Sequence, residues 1–199
     1  MKLYIATGNA HKVVELQKML SEDVPGIQVL SAKELGGMPE VDENADSFVG
    51  NAFIKARALN EKSQGEPVLA DDSGLCVDAL DGAPGIYSAR YAGKGATDEE
   101  NRKKLLTVLK GIPATERSAH FACVLAFIDS DGSEHSFSGK CHGSLTFEEQ
   151  GDGGFGYDPI FQPDGYSETF GVLSSETKNK LSHRAKALQE LVQFLKNRC

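Results

Sequence analysis

The chain has 199 residues, 40% of them hydrophobic and 25% charged, a balance that suits one globular domain, or one domain of two lobes, with ample core. Its 29 acidic residues against 21 Lys and Arg give a formal net charge of −8, which argues against a broad phosphate-binding surface for DNA or RNA. A small anionic substrate stays compatible with that charge, because a local cationic cluster can oppose the global field.

No apolar run reaches the roughly 20 residues of a membrane helix. Cys76, Cys123, Cys141 and Cys199 are scattered without a Cys-x-x-Cys pair. The expectation is therefore a cytoplasmic protein with reduced thiols and no membrane partner, zinc site or disulfide framework. Met1–Thr7 is too short and too early broken, at Gly8-Asn9, to be a secretory leader, and is assigned as a first strand.

In chain order, Lys2 to Thr7 is expected as a strand, Gly8-Asn9 as a turn and Ala10 to Leu20 as a helix with Val13, Leu16 and Leu20 on one face. Asn9 is the expected N-cap. Lys12 then sits at the positive end of the helix, a conflict that an anionic ligand would remove. Ile27–Leu30 can form a second strand. A loop through Gly36-Gly37 leads to the acidic stretch Glu40–Asn44 and a helix from Asp46 to Lys62, on which Asn51 and Lys55, four apart, share a face. Glu43 is either a helix-start charge or a metal ligand.

Leu69-Ala70-Asp71-Asp72-Ser73-Gly74-Leu75 is expected as an acidic turn at the end of a buried strand: a common surface bend, or a carboxylate site for Mg²⁺ and phosphate. If the strand stays extended, the two aspartates face opposite ways, and the residues alone do not choose between them. Thr97-x-x-Glu100 is a capping box for a helix through Lys110. Ala119–Ile128 is apolar on both alternating faces, a central strand, and a turn at Asp129–Gly132 returns the chain as a more polar strand over Ser133–Gly143, so the sheet is mixed.

In Gly151–Pro159 several glycines surround Phe155 and Tyr157, as a base-stacking platform or as a loop whose rings plug the core. A polar loop, Glu176–Lys180, precedes a last helix with Ser182 as N-cap and His183 and Arg184 in its first turn, a second cationic helix start.

Thr7-Gly8-Asn9-Ala10-His11-Lys12, Ala70-Asp71-Asp72-Ser73-Gly74-Leu75, Gly82–Arg90, Gly153-Gly154-Phe155-Gly156-Tyr157-Asp158-Pro159 and Ser182-His183-Arg184 occur in that order. With these motifs the chain resembles the inosine triphosphatase family, the bacterial dITP/XTP pyrophosphatases, over its whole length. The resemblance implies an α/β fold: a single domain over residues 1–199, with a long, mixed, twisted sheet flanked by helices and two lobes about an active-site cleft, usually a homodimer. It implies Mg²⁺-dependent hydrolysis of ITP, dITP and XTP to the monophosphate and pyrophosphate. By motif, Thr7, Gly8, Asn9, Ala10, His11 and Lys12 bind the substrate, chiefly its phosphates. Asp72 is proton acceptor and metal ligand, Glu43 the second metal ligand, and Ser73 a substrate contact. Phe155, Gly156, Tyr157, Asp158, Lys178, His183 and Arg184 recognise the base, with Lys180 an alternative to Lys178. Asn51 and Lys55 match positions that face the cleft.

On this reading water attacks the α-phosphorus, Asp72 takes its proton, and Lys178 and Arg184 donate to the purine 6-oxo group, which adenine lacks. Two other classes compete: a regulator that binds nucleotides without cleaving them, which would not need Glu43 and Asp72, and a structural domain, which leaves two cationic helix starts unexplained. A Maf-like pyrophosphatase acting on pyrimidine or modified nucleotides is a third rival, disfavoured by Ser182-His183-Arg184.

Overall fold

β1 (Lys2–Ala6) is buried from Leu3 onward and pairs in parallel with β2 (Gln28–Ser31) on one side and β3 (Val68–Val77) on the other. Parallel neighbours need crossover connections, supplied by α1 (Ala10–Asp23) and α2 (Phe48–Ser63). β4 (Ser118–Ile128) and β5 (Glu134–Leu145) are joined by a tight turn in which Asp129 N donates to Ser133 O, and β6 (Phe161–Pro163) pairs antiparallel with β5. The strand order is β2-β1-β3-β4-β5-β6, so the fold is α/β with a mixed sheet, as expected. Three further helices follow: α3 (Asp98–Val108), α4 (Ser175–Leu181) and α5 (His183–Lys196). This computed structural model describes residues 1–197, and Cys199 lies outside them. Among the described residues, Cys76, Cys123 and Cys141 are in no disulfide, and no helix is long and apolar enough to cross a membrane.

Two compact units are formed. The first gathers Met1–Asp72, Cys123–Gly139 and the segment from Arg184 onward; the second gathers Ser73–Ala122 and Lys140–His183. Within the first unit, the alternation of β3 sorts its core in two. Leu69 packs with Leu3 and Ile5 of β1 and with Leu16, Leu20, Leu188 and Leu191, from the apolar stripes of α1 and α5. Val68 and Ala70 point the other way and pack with Ala52, Ala56 and Leu59 of α2. In the second unit, Leu75, Val77, Phe121, Phe161 and Phe170 close against Leu105 of α3 and Leu109, its C-cap.

Two expectations are corrected. The acidic stretch is not a turn: β3 continues unbroken through Asp71, Asp72, Ser73 and Gly74 to Val77. Local turn chemistry is overridden because each aspartate finds a cation on its own side of the strand, and strand preference follows tertiary surroundings more than residue type. The polar stretch Glu176–Lys180 is helical rather than a loop, since Ser174 caps α4 by accepting from Thr177 N at 3.2 Å. Smaller shifts occur at helix ends. α1 runs on to Asp23, and α2 starts at Phe48 behind a Ser47 cap.

Candidate active site

In the first unit the chain leaves β1 at Ala6 and enters α1 through Thr7-Gly8-Asn9. Asn9 N donates to Thr7 Oγ1 at 3.1 Å, and Asn9 Oδ1 accepts from His11 N and Lys12 N at 2.9 and 3.3 Å. Asn9 is thus the N-cap, and it consumes two of the helix-start N–H groups itself. Gly8, Asn9, Ala10 and His11 remain exposed, and the ammonium of Lys12 pairs with Asp71.

The last paired residue of β1, Ala6, lies opposite Ala70, so Asp71 and Asp72 sit on the first two positions of β3 past the end of β1. Alternation then sends them to opposite faces. Asp72 faces α2. Lys55 Nζ donates to Asp72 Oδ1 at 2.6 Å and to Glu43 Oε2 at 2.8 Å, so one ammonium bridges two carboxylates. Asn51, one turn earlier, accepts from Ala45 N at 3.0 Å and pins the segment that carries Glu43. Gly50 permits this approach, since a Cβ there would lie 2.5 Å from that of Ala45.

The two acids are tuned apart. Burial pushes the Asp72 carboxyl above the ordinary carboxylate range; Lys55 and Lys12 offset this only in part, and the charge of Glu43 pushes the same way. Burial also works against ionisation of Glu43, but the hydrogen bond and charge of Lys55 prevail and hold Glu43 below its usual value. Lys55 is itself buried, yet Asp72 and Glu43 keep it cationic. A carboxylate pair whose environments push their affinities for the proton apart is the usual layout of a base beside a permanently charged partner. One oxygen of the pair, Asp72 Oδ2, is buried without a hydrogen-bond partner.

Asp71, fully buried, faces α1 and α5. Besides Lys12 it accepts from Arg184 Nε at 2.9 Å and from Cys123 Sγ at 3.2 Å, while Arg184 Nη1 donates to Glu15 Oε2 at 2.5 Å. Burial alone would depress the guanidinium's pKa, and the charges of Asp71 and Glu15 more than reverse that. Arg184 therefore has two of its nitrogens committed to acids of the first unit, an anchoring the motif did not announce. Glu15 and Cys123 are the network members that sequence reasoning missed. The only signal for Glu15 was its position one turn after Lys12 on α1.

The second unit holds the glycine-rich loop. Its two aromatic residues divide the two readings between them. Tyr157 is buried in the core and its hydroxyl donates to Ser88 O at 2.9 Å, whereas Phe155 stays half-buried. Lys178 is the lysine of this cluster: its Nζ donates to Asp158 Oδ2 at 2.7 Å and lies 4.4 Å from the centroid of the Phe155 ring. Lys180 is exposed and pairs with Glu176 on the helix surface. Asp158 Oδ2 also accepts from Phe155 N at 2.8 Å. Gly154, at φ +73°, makes room for that closure, since a Cβ there would meet Asp158 Oδ2 at 2.2 Å. His183 is buried and stacks on Phe121 at 4.8 Å between ring centroids. Ser73 is half-buried on β3, on the strand face opposite to that of Asp72. Asp98 and Arg102 of α3 also contact this loop, and nothing in the capping box signals it.

Parallel strands ending beside a helix N-terminus and charged side chains define an α/β protein of the kind that binds ligands past the carboxyl ends of its strands. The sequence matches the Ham1 family over residues 3–194. It is 47% identical over 199 residues to the dITP/XTP pyrophosphatase of Opitutus terrae, covering 98% of both chains. It is 48% identical over 195 residues to the dITP/XTP pyrophosphatase of Desulforamulus reducens, covering 98% of this chain and 96% of that one. Among solved structures, it matches a HAM1 protein from Coxiella burnetii with a TM-score of 0.88 at 38% identity over 99% of both chains. The Ham1 protein of Staphylococcus aureus gives a TM-score of 0.88 at 37% identity over the whole of both chains. The chain belongs to the Ham1 family.

Proposed function

We propose that this protein is a pyrophosphohydrolase that converts ITP, dITP and XTP to the monophosphate and pyrophosphate, removing deaminated purines from the nucleotide pool. The observation that carries the reading is the pair Glu43 and Asp72, bridged by Lys55, with one buried Asp72 oxygen lacking a partner. The names of the relatives agree with it. A regulator that only binds nucleotides has no need of a buried carboxylate oxygen left open beside a second acid.

The same pair fits Mg²⁺. Two hard carboxylates outnumber the one ammonium that bridges them, which leaves the spot net negative, and the orphaned Asp72 Oδ2 has capacity for a ligand bond. Among the described residues no group of three or more His, Cys, Asp or Glu is placed to hold a metal. Most of the shell would therefore fall to water and phosphate oxygens, as Mg²⁺ prefers. When bound at Glu43 and Asp72, the ion would polarise the phosphate and acidify the attacking water.

The chain's own residues do the rest. The exposed backbone of Gly8–Ala10 and the ammonium of Lys12 take the phosphates, with Thr7 and His11 beside them and Ser73 as a further substrate contact. Asp72 accepts the proton of the water whose oxygen bonds to the α-phosphorus as the bond to pyrophosphate breaks. Phe155 offers its ring to the purine, with Gly156 and Asp158 shaping the pocket. The side chain of Tyr157 is spent on the core, so its part in binding falls to its backbone. Lys178 and Arg184 are assigned to the 6-oxo acceptor and His183 to the same set; adenine would leave the donors opposed. We assign the working form as a homodimer in the cytoplasm.

Pyrophosphate release across ITP, XTP, dITP, GTP, ATP and dTTP, with and without Mg²⁺, tests the reading. Release from the first three that depends on the metal is expected. Equal release from ATP would remove the donor argument, and none from any would return the chain to the binding class. The pH profile tests the role of Lys55. Asp72 must be ionised to accept a proton, and Lys55 is the chief group opposing the rise that burial causes. Lys55→Met should therefore move the acid limb of kcat/KM to higher pH and lower activity at neutral pH. An unmoved limb would show that Asp72 is not the titrating base.

A further inference from the structure

We infer that Asp98 and Arg102, on the first turns of α3, are positioning residues for purine selection, acting through the backbone of Gly156. Gly156 N donates to Asp98 Oδ2 at 2.7 Å, and Gly156 O accepts from Arg102 Nη1 at 2.7 Å. Two consecutive peptide units, the ones on either side of Gly156, are thus held by side chains one helical turn apart. The Arg102 guanidinium is itself braced by Glu149 at 3.1 Å. The inference rests on the reading of Phe155 as the ring that receives the base.

A clamp is needed at this position for a physical reason. Gly156 adopts φ +61°, a left-handed conformation that glycine enters at little cost and leaves as readily. Nothing within 4 Å would meet a Cβ at Gly156, so side-chain packing does not fix it. On the preceding side Phe155 N is held by Asp158, and on the following side Tyr157 is anchored through its hydroxyl to Ser88 O. The α3 pair closes the remaining freedom between those anchors, and with it the orientation of the Phe155 ring. The acidic first turn of α3 supports the assignment by division of labour. Glu100 completes the capping box with Thr97, Glu99 pairs with Lys103 on the surface, and Asp98 alone of the three reaches across to the loop. Asp98 is exposed, so its removal should cost little global stability.

A loop that must be ordered on binding weakens substrate affinity more than it slows chemistry once substrate is bound. Asp98→Ala should raise KM for ITP by about tenfold or more with kcat changed less than about twofold, the size expected for loss of a charge-assisted hydrogen bond. Asp98→Asn, which keeps an acceptor, should restore most of the affinity. Arg102→Ala should raise KM in the same way. In the absence of substrate, amide hydrogen exchange in residues 153–158 should quicken in Asp98→Ala at unchanged melting temperature. Adding Asp98→Ala to Phe155→Ala should raise KM no further, because the residue acts through the ring. A KM within about twofold of wild type together with unchanged exchange would overturn the inference, and so would multiplying effects in the double variant. If wild-type protein released no pyrophosphate from ITP, the functional reading would fall instead, and the exchange measurement would still decide whether Asp98 holds the loop.

Discussion

Asp72→Asn should reduce kcat for ITP by about a thousandfold or more, within the range that loss of a positioned general base produces, while leaving the melting temperature unchanged or higher. The first half follows from geometry and charge. Asp72 is held at one oxygen by Lys55 and presents the other, buried and without a partner. The amide of asparagine keeps the shape but cannot take a proton from water. The second half follows from linkage. Burial raises the folded-state pKa of Asp72 above its unfolded value. A carboxyl shifted in that direction favours folding when it is protonated. Its contribution is fully present below the unfolded pKa and is lost as pH rises through the folded pKa. Wherever Asp72 is ionised its buried charge is therefore a cost to the fold, and a neutral replacement should not destabilise it. Lys55 keeps Glu43 as a partner in the variant. Such a separation, with activity lost and stability kept, marks a residue retained for chemistry. Near-normal kcat in the folded variant would reject Asp72 as the base, and a marked fall in melting temperature would show that its role is structural.

The parts of this fold that could be read from the sequence are those whose cause is local and periodic. The alternation in Ala119–Ile128 became a buried central strand, and Thr97-x-x-Glu100 became a capping box with both hydrogen bonds in place. Asn9 became the N-cap of α1, which left Lys12 at the helix start as foreseen. The acidic stretch failed because its cause is distant. The cations that let Asp71 lie inside a strand come from Lys12 and Arg184, 59 and 113 residues away, and no window around Asp71 contains them. Arg184 was legible as a member of a motif, but not as a buried partner of Asp71 and Glu15, for the same reason. Lys178 and Lys180 look alike in sequence; they part only when α4 turns one toward Asp158 and the other to solvent. Asp98 and Arg102 were hidden by the sufficiency of a simpler explanation. An acidic helix start already has a reason to exist, so nothing local indicates that one of its acids also binds a loop 58 residues on.

Asp71→Ala should do the reverse of Asp72→Asn, destabilising the protein by about 3–5 kcal/mol, the cost of breaking a buried ion pair by removing one partner. Asp71 is fully buried and Arg184 is 1% exposed, so neither charge can recover its hydration when the other is deleted. Arg184 would keep Glu15, while Lys12 would lose the carboxylate it is paired with in this fold. For a chain of this length a loss of that size lowers the melting temperature by roughly 10 °C. Urea unfolding measures it directly: a change under about 1 kcal/mol, the scale of an exposed ion pair, would reject the buried network as a source of stability. A paired replacement separates the charge from the packing. Asp71→Leu with Arg184→Met removes both members of the buried pair, leaving Lys12 and Glu15 half-exposed, and should recover part of the stability lost in Asp71→Ala. Adjacent aspartates on one extended strand thus serve opposite ends because alternation turns them to opposite faces. Asp71 is neutralised by α1 and α5 and holds the first unit together. Asp72, bridged to Glu43 by Lys55 of α2, keeps one buried oxygen without a partner, the atom that the proposed reaction uses as its base.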